Sequence, residues 1–266
     1  MLGRLFPDPT ALALAQAALA SAAALAVALL ARRRRLHVGR DLLVALARGL
    51  AQIAAVGSVL LLMLRGPTWL GPVALAAMAV AAAATAARRA PGIPGAFRVA
   101  LVAIVAGAGA VIALMALAGV VEARVAVLVP VGSMLVAAAM NATGLALDRL
   151  RAEVLAHAGQ VEAALALGAA PEVAVAPYAR AAFRASLIPA IDNLRSLGIV
   201  WIPGLMTGMV LSGTPPLRAA LYQFVVIALI FASSGTTCLV ATALAQRAAF
   251  TPAEQLALAP AGPRGA

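Results

Sequence analysis

The sequence alternates long apolar runs with short segments that carry arginine. Residues 10–31 contain no charged side chain over 22 positions. At about 1.5 Å of rise per residue this crosses a hydrocarbon core of about 30 Å. The run exceeds the core of a signal peptide and is expected to be retained. Comparable runs follow at 41–64, 68–87, 97–120, 125–147, 187–211 and 217–246. The pattern predicts an all-α integral membrane protein with about seven transmembrane helices. Residues 1–250 then form a single polytopic membrane domain, and 251–266, with Pro252, Pro260 and Pro263, a disordered tail. The longest connection, 148–186, joins spans five and six. Asp148 to His157 are expected to prolong span five as helix, and Glu172 to Ser186 to lead into span six, with corners at Gly159 and Pro171.

Composition agrees with the pattern: 64% of residues are hydrophobic, 11% are charged and the mean hydropathy is +1.04. The net charge of +11 comes from 20 basic residues, every one an arginine. Fourteen fall in the predicted inner loops and four in the outer segments, while Arg48 and Arg195 lie within spans. That bias predicts an N-terminus outside and a C-terminus in the cytoplasm, as a multi-pass protein of the cell inner (plasma) membrane. The arginines are therefore topological and call for lipid as a partner, with no nucleic acid.

A chain without lysine cannot contain a P-loop or form a lysine Schiff base. If ATP drives it, a separate subunit binds the ATP and magnesium, and no cofactor belongs to this chain. Cys238 is alone, and His37 and His157 are isolated, which excludes a thiolate cluster or a histidine zinc site. Ser233-Ser234-Gly235 lacks the frame of a nucleophile elbow, and no catalytic residue emerges. Gly107-x-Gly109 lies inside a span and reads as helix packing.

Within the 148–186 connection, Gln160 to Pro171 has its own start and stop signals. Glu162 sits in the first turn, and Gly168 followed by Pro171 ends the helix. Ala163, Ala164 and Ala166 let another backbone approach, and Val161 and Leu165 at i and i+4 supply an apolar edge for docking into a groove. Because 73 residues are alanine, 27% of the chain, alanine motifs alone say little. The position of this one, in the largest predicted inner loop, adds weight.

Two spans stand out from the alanine background. Residues 191–218 hold no alanine in 28 positions, for which chance gives on the order of 10⁻⁴. They contain Asp192, Asn193, Arg195, Pro203-Gly204, Gly204-x-x-x-Gly208, Met206 and Met209. In span five, Pro130, Met134, Asn141, Gly144 and Asp148 share a helical face. Interrupted helices with polar groups at membrane depth are the usual lining of a transport path. Met134, Asn141, Asp192, Asn193, Met206 and Met209 are the candidates, expected to face a shared cleft. Asp192 and Arg195 also fit the inner interface, Asn141 a helix-to-helix hydrogen bond, and the methionines gap filling. No metal ligand set is defined.

Three stretches in order, Leu128 to Met134 with Met140 to Leu150, Glu162 to Pro171, and Gly198 to Gly208, resemble the FetB (YbbM) permeases of bacterial iron-export ABC transporters. The Glu-Ala-Ala-x-x-x-Gly spelling resembles the signature of ABC-permease coupling helices. The resemblance implies a homodimeric permease carrying two copies of an ABC ATPase subunit. It further implies coupling through Glu162, Ala163, Ala164, Leu165 and Gly168, and export of iron or another metal ion. Met209 and the Asp192-Asn193 pair depart from the family's usual residues and bear on the substrate. An ABC permease for an organic solute, an ion-coupled carrier using Asp192, Arg195 and Asn141, and a non-transporting scaffold are the alternatives.

Overall fold

The computed structural model describes residues 8–34, 39–120 and 124–258. They fall into two compact units, Met1–Gly66 and Pro67–Ala266. In the first, α1 (Pro9–Arg33) packs on α2 (Gly39–Arg65). Asp8 caps α1: its carboxylate accepts from the Thr10 hydroxyl and, at 3.2 Å, from the Thr10 amide. These bonds favour the ionised form and hold the Asp8 pKa below its ordinary value.

The second unit contains α3 (Leu70–Ala87), then α4 (Ala96–Ile104), which continues through a five-residue π turn (Val105–Gly109) into α5 (Ala110–Leu117). Next come α6 (Val125–Ala156), α7 (Ala158–Ala166), α8 (Pro171–Ser196), α9 (Gly204–Leu211) and α10 (Pro216–Ala248). Among the described residues there is no strand beyond two isolated bridges. Helices α6 and α10 form the centre. They run in the same direction, since Ser233 donates to the Leu135 carbonyl at 3.2 Å and Cys238 approaches the Ala142 carbonyl at 3.6 Å.

Alanine explains the close packing. Ala83, Ala86, Ala100, Ala139 and Ala146 are fully buried, and side chains of this size let helices approach without a large entropy cost. Glycine carries the principle further. A Cβ on Gly107 would strike the Thr237 hydroxyl and lie 2.6 Å from the Thr237 backbone nitrogen. The π turn thus presses backbone to backbone against α10, and the Gly107-x-Gly109 spelling is packing as expected. At Gly132 a Cβ would meet Leu75 at 2.8 Å, which fixes α3 against α6.

Among the described residues, five helices are long and apolar enough to cross a membrane: Thr10–Leu30, Leu70–Ala87, Ala96–Leu117, Val125–Ala156 and Pro216–Ala248. They correspond to expected spans one, three, four, five and seven. Span two is α2, whose described apolar stretch is the shorter Leu42–Gly57. Span six departs from the expectation of one helix over 187–211. Helix α8 ends at Ser196, the chain turns through 197–203 with Gly198 at φ +78°, and α9 provides only eight residues. Ser196 keeps this break compact by accepting amides from Ile199 and Val200 at 3.2 and 3.0 Å.

The expected prolongation of span five is present, because α6 runs unbroken to Ala156. At the other end, the tail expected to be disordered from Thr251 begins as an ordered return. Phe250 pairs with Leu256, Ala257 donates to the Ala249 carbonyl at 2.7 Å, and Leu258 is buried in the main core. Residues 259–266 lie outside the described residues.

Candidate functional site

Helix α7 is set at a corner between α6 and α8. The corner is His157, at φ −118° and ψ 23°, rather than Gly159, which falls in the first turn of α7. His157 Nδ1 donates to the Glu153 carbonyl at 2.9 Å, closing the end of α6. Its ring stacks on Tyr178 of α8 with centroids 4.7 Å apart and planes 21° from parallel. The Tyr178 hydroxyl donates to Gln160 Oε1 of α7 at 2.8 Å. One aromatic side chain therefore ties α8 to both the corner and the short helix. No glycine or proline signals this clamp, and reading turns from those residues alone misses it.

The other end of α7 is closed by Gly168 at φ +85°, where L side chains are strained. Its amide donates to the Leu165 carbonyl at 2.9 Å and the Ala169 amide to the Ala164 carbonyl at 3.0 Å, a left-handed stop of the expected kind. The expected apolar docking edge is corrected by burial. Val161 is wholly enclosed in the protein's own core, in one cluster with Val175 and Ala179, and Leu165 packs against the same cluster. That edge anchors α7 inward because α8 offers it Val175 and Ala179. The surface left open carries Glu162, Ala163 and Gly168, with Ala164 half-buried and Leu167 89% exposed.

Beside the start of α8 lies a cleft of about 330 Å³, bounded by Glu172, Arg247, Phe250, Thr251 and Glu254. Glu254 stands at φ +59°, a conformation uncommon outside glycine, at the turn of the ordered return.

The transport-path candidates lie on three helices, α6, α8 and α9. Met134 and Asn141 are exposed on α6, whereas Gly144 is covered by Arg89, whose Cδ would lie 2.8 Å from a Cβ there. Asp148 is half-buried. The polar stripe is thus open in its first half and roofed in its second. Asp192 and Asn193 are exposed on α8, and Asp192 lies 3.9 Å from Arg195, with side chains 61% and 77% exposed. Met206 and Met209 are half-buried on α9. Ala142 and Ile191, neighbours in sequence of Asn141 and Asp192, belong to one apolar cluster with Leu187 and Cys238. Helices α6 and α8 thus meet through Ala142 and Ile191, each one position from a path candidate. Among the described residues no group of three or more His, Cys, Asp or Glu could hold a metal ion.

Buried polar groups gather on α10. Cys238 Sγ and Ser186 Oγ of α8 are 3.3 Å apart, beside the Ala142 carbonyl of α6, so three helices share one polar node. The Gln223 side chain is 2% exposed and has no partner at either Nε2 or Oε1.

Long apolar helices, an interrupted segment at 197–203 and a capped short helix outside the apolar runs define a multi-pass α-helical membrane protein. The sequence matches the Uncharacterised protein family UPF0014 over residues 14–250, and the chain belongs to that family. It is 35% identical over 225 residues to the UPF0014 membrane protein STAR2 of Oryza sativa subsp. japonica, covering 84% of this chain and 79% of that protein. The probable iron export permease protein FetB of Escherichia coli is 29% identical over 229 residues, or 86% and 88% of the two chains. Protein ALUMINUM SENSITIVE 3 of Arabidopsis thaliana is 32% identical over 230 residues, 86% of this chain and 84% of that one. No solved structure matches the chain.

Proposed function

We propose that this protein is the membrane-spanning permease of an ABC transporter in the inner (plasma) membrane, exporting a metal ion, with iron the leading cargo. The observation that carries this reading is the construction of α7. It is anchored inward by Val161, clamped through Tyr178, stopped at Gly168, and leaves Glu162, Ala163 and Leu167 open. Such a rigid small-residue surface suits docking against a second protein. A lysine-free chain has no P-loop of its own, so that protein is the ATPase, which supplies ATP and magnesium. The relatedness to a probable iron export permease supports the cargo.

Closure of the ATPase would push on α7. The push reaches α6 through His157 and α8 through Tyr178, and α8 leads directly to the break at 197–203. Met134, Asn141, Asp192 and Asn193 line the path in this reading. They are exposed on a single protomer, so a second copy encloses the path, and the working unit is a homodimer with two ATPase subunits. In this orientation α7 is cytoplasmic and α9 lies toward the outside.

The test is purification from native membranes, followed by reconstitution. A P-loop ATPase should co-purify in equal number, and vesicles should move iron only with ATP. Iron movement without any ATPase, driven by an ion gradient, would establish the carrier alternative. ATP-driven movement of an organic solute with no metal flux would establish the other.

A further inference from the structure

Gln223 is enclosed on α10, yet its carboxamide presents two donors and two acceptor lone pairs that nothing in the structure meets. Thr143 and Thr237 also have buried hydroxyls without partners. A threonine in a helix has a local remedy, since its hydroxyl can turn onto a carbonyl three or four residues back. Thr242 does this at 2.7 Å to the Cys238 carbonyl, and Thr236 at 2.7 Å to that of Ala232. A glutamine amide has no equivalent backbone bond within its own helix. A polar group left in this way within the apolar layer weakens the fold.

The surroundings of Gln223 suggest what it serves. It sits in the first half of α10, about 33 Å of helix from Ala245, a buried α10 residue of the cluster that anchors α7. Its neighbours Tyr222 and Val226 belong to the cluster that receives Leu205 from α9. Helix α9 is bounded by Gly198 and Gly213, both at positive φ, and a Cβ built on its Gly204 or Gly208 would meet nothing within 4 Å. The amide therefore lies on the helix against which the short α9 packs, between two turns that glycine makes possible.

We propose that Gln223 is a cargo-contacting residue at the outer end of the path. Its carbonyl oxygen enters the coordination shell of a hard, oxygen-preferring cation when α9 moves aside. This rests on the metal-export reading above. A neutral amide suits such a place because it replaces one water of a hydrated ion without the tight hold of a carboxylate cluster, and a departing ion needs weak sites.

The test uses the reconstituted permease and ATPase, with ferrous iron as the probe. Gln223→Met keeps the side-chain volume and removes the unmet valences. Its melting temperature should equal or exceed that of wild type, while ATP-driven iron efflux falls at least tenfold and ATPase assembly persists. Gln223→Leu should behave alike, and Gln223→Asn, which keeps the amide, should retain more efflux than either. Wild-type efflux in Gln223→Met overturns the assignment and leaves the permease reading intact. A lower melting temperature or failed folding in both Met and Leu variants also overturns it, identifying the amide as an ordinary packing group. Absence of iron efflux in the wild-type complex instead removes the metal-export reading, and this assignment with it.

Discussion

Replacing Gly168 separates two effects that a single substitution would merge. At φ +85° an L residue loses about 1–2 kcal/mol relative to glycine, because its Cβ crowds the following carbonyl. In the free protomer no further cost arises, since nothing lies within 4 Å of a Cβ built at this position. Alanine and leucine therefore share the same backbone penalty, a factor of roughly 5–30 in the population of the correctly stopped helix. Asparagine tolerates the left-handed conformation and carries less of it. Only leucine adds bulk at the surface where the ATPase is proposed to sit. ATPase retention on the purified permease, measured by stoichiometry and by cargo-stimulated hydrolysis, should rank Gly, Asn, Ala, Leu from most to least. The step from Ala to Leu should exceed the step from Gly to Ala. If Ala and Leu variants are equal, the side chain meets no partner, and Gly168 serves the helix stop alone.

Three further outcomes follow from the geometry. Tyr178→Phe keeps the stack on His157 but loses the bond to Gln160, worth about 0.5–1.5 kcal/mol, so hydrogen exchange of the α7 amides should quicken two- to tenfold; unchanged exchange would dismiss the clamp. Gly107→Ala must part the π turn from α10, since the new methyl would lie 2.6 Å from a backbone nitrogen, and should cost at least about 1–3 kcal/mol, seen as a fall of several degrees in melting temperature; an unchanged melting temperature would contradict the close approach. Asn141→Leu and Asp192→Leu should each reduce metal efflux with assembly intact, and normal efflux in both would remove these residues from the path.

The apolar runs were enough to foresee α1, α3, α6 and α10, because a long charge-free run leaves a helix as the only way to satisfy its backbone in lipid. Helix α7 was equally legible, since Gly168 and Pro171 act locally. The break at 197–203 was legible as an interruption but not in its extent: Ser196 to Gly213 is free of charge, and hydropathy measures side chains while the interruption belongs to the backbone. Gly198 and Pro203-Gly204 were its only marks. Which side of α7 faces inward depended on Val175 and Ala179, brought near by the turn, and no local pattern encodes that. The return after Thr251 was obscured by its prolines, although Leu256 and Leu258 supply the anchors. Gln223 stands in an otherwise ordinary apolar helix, and only burial without a partner singles it out.

The shortness of α9 bears on leakage. Eight residues rise only about 12 Å, less than half the thickness of a hydrocarbon core. A permeation barrier at this place consequently depends on bulky side chains rather than on a continuous helix wall. Ile199, Val200, Ile202 and Leu211, between 67% and 87% exposed on the protomer, are the material for it. A permease of the proposed kind must hold back protons and sodium for far longer than it spends moving cargo. Under the proposed function, that insulation rests on a few aliphatic groups at the two ends of α9.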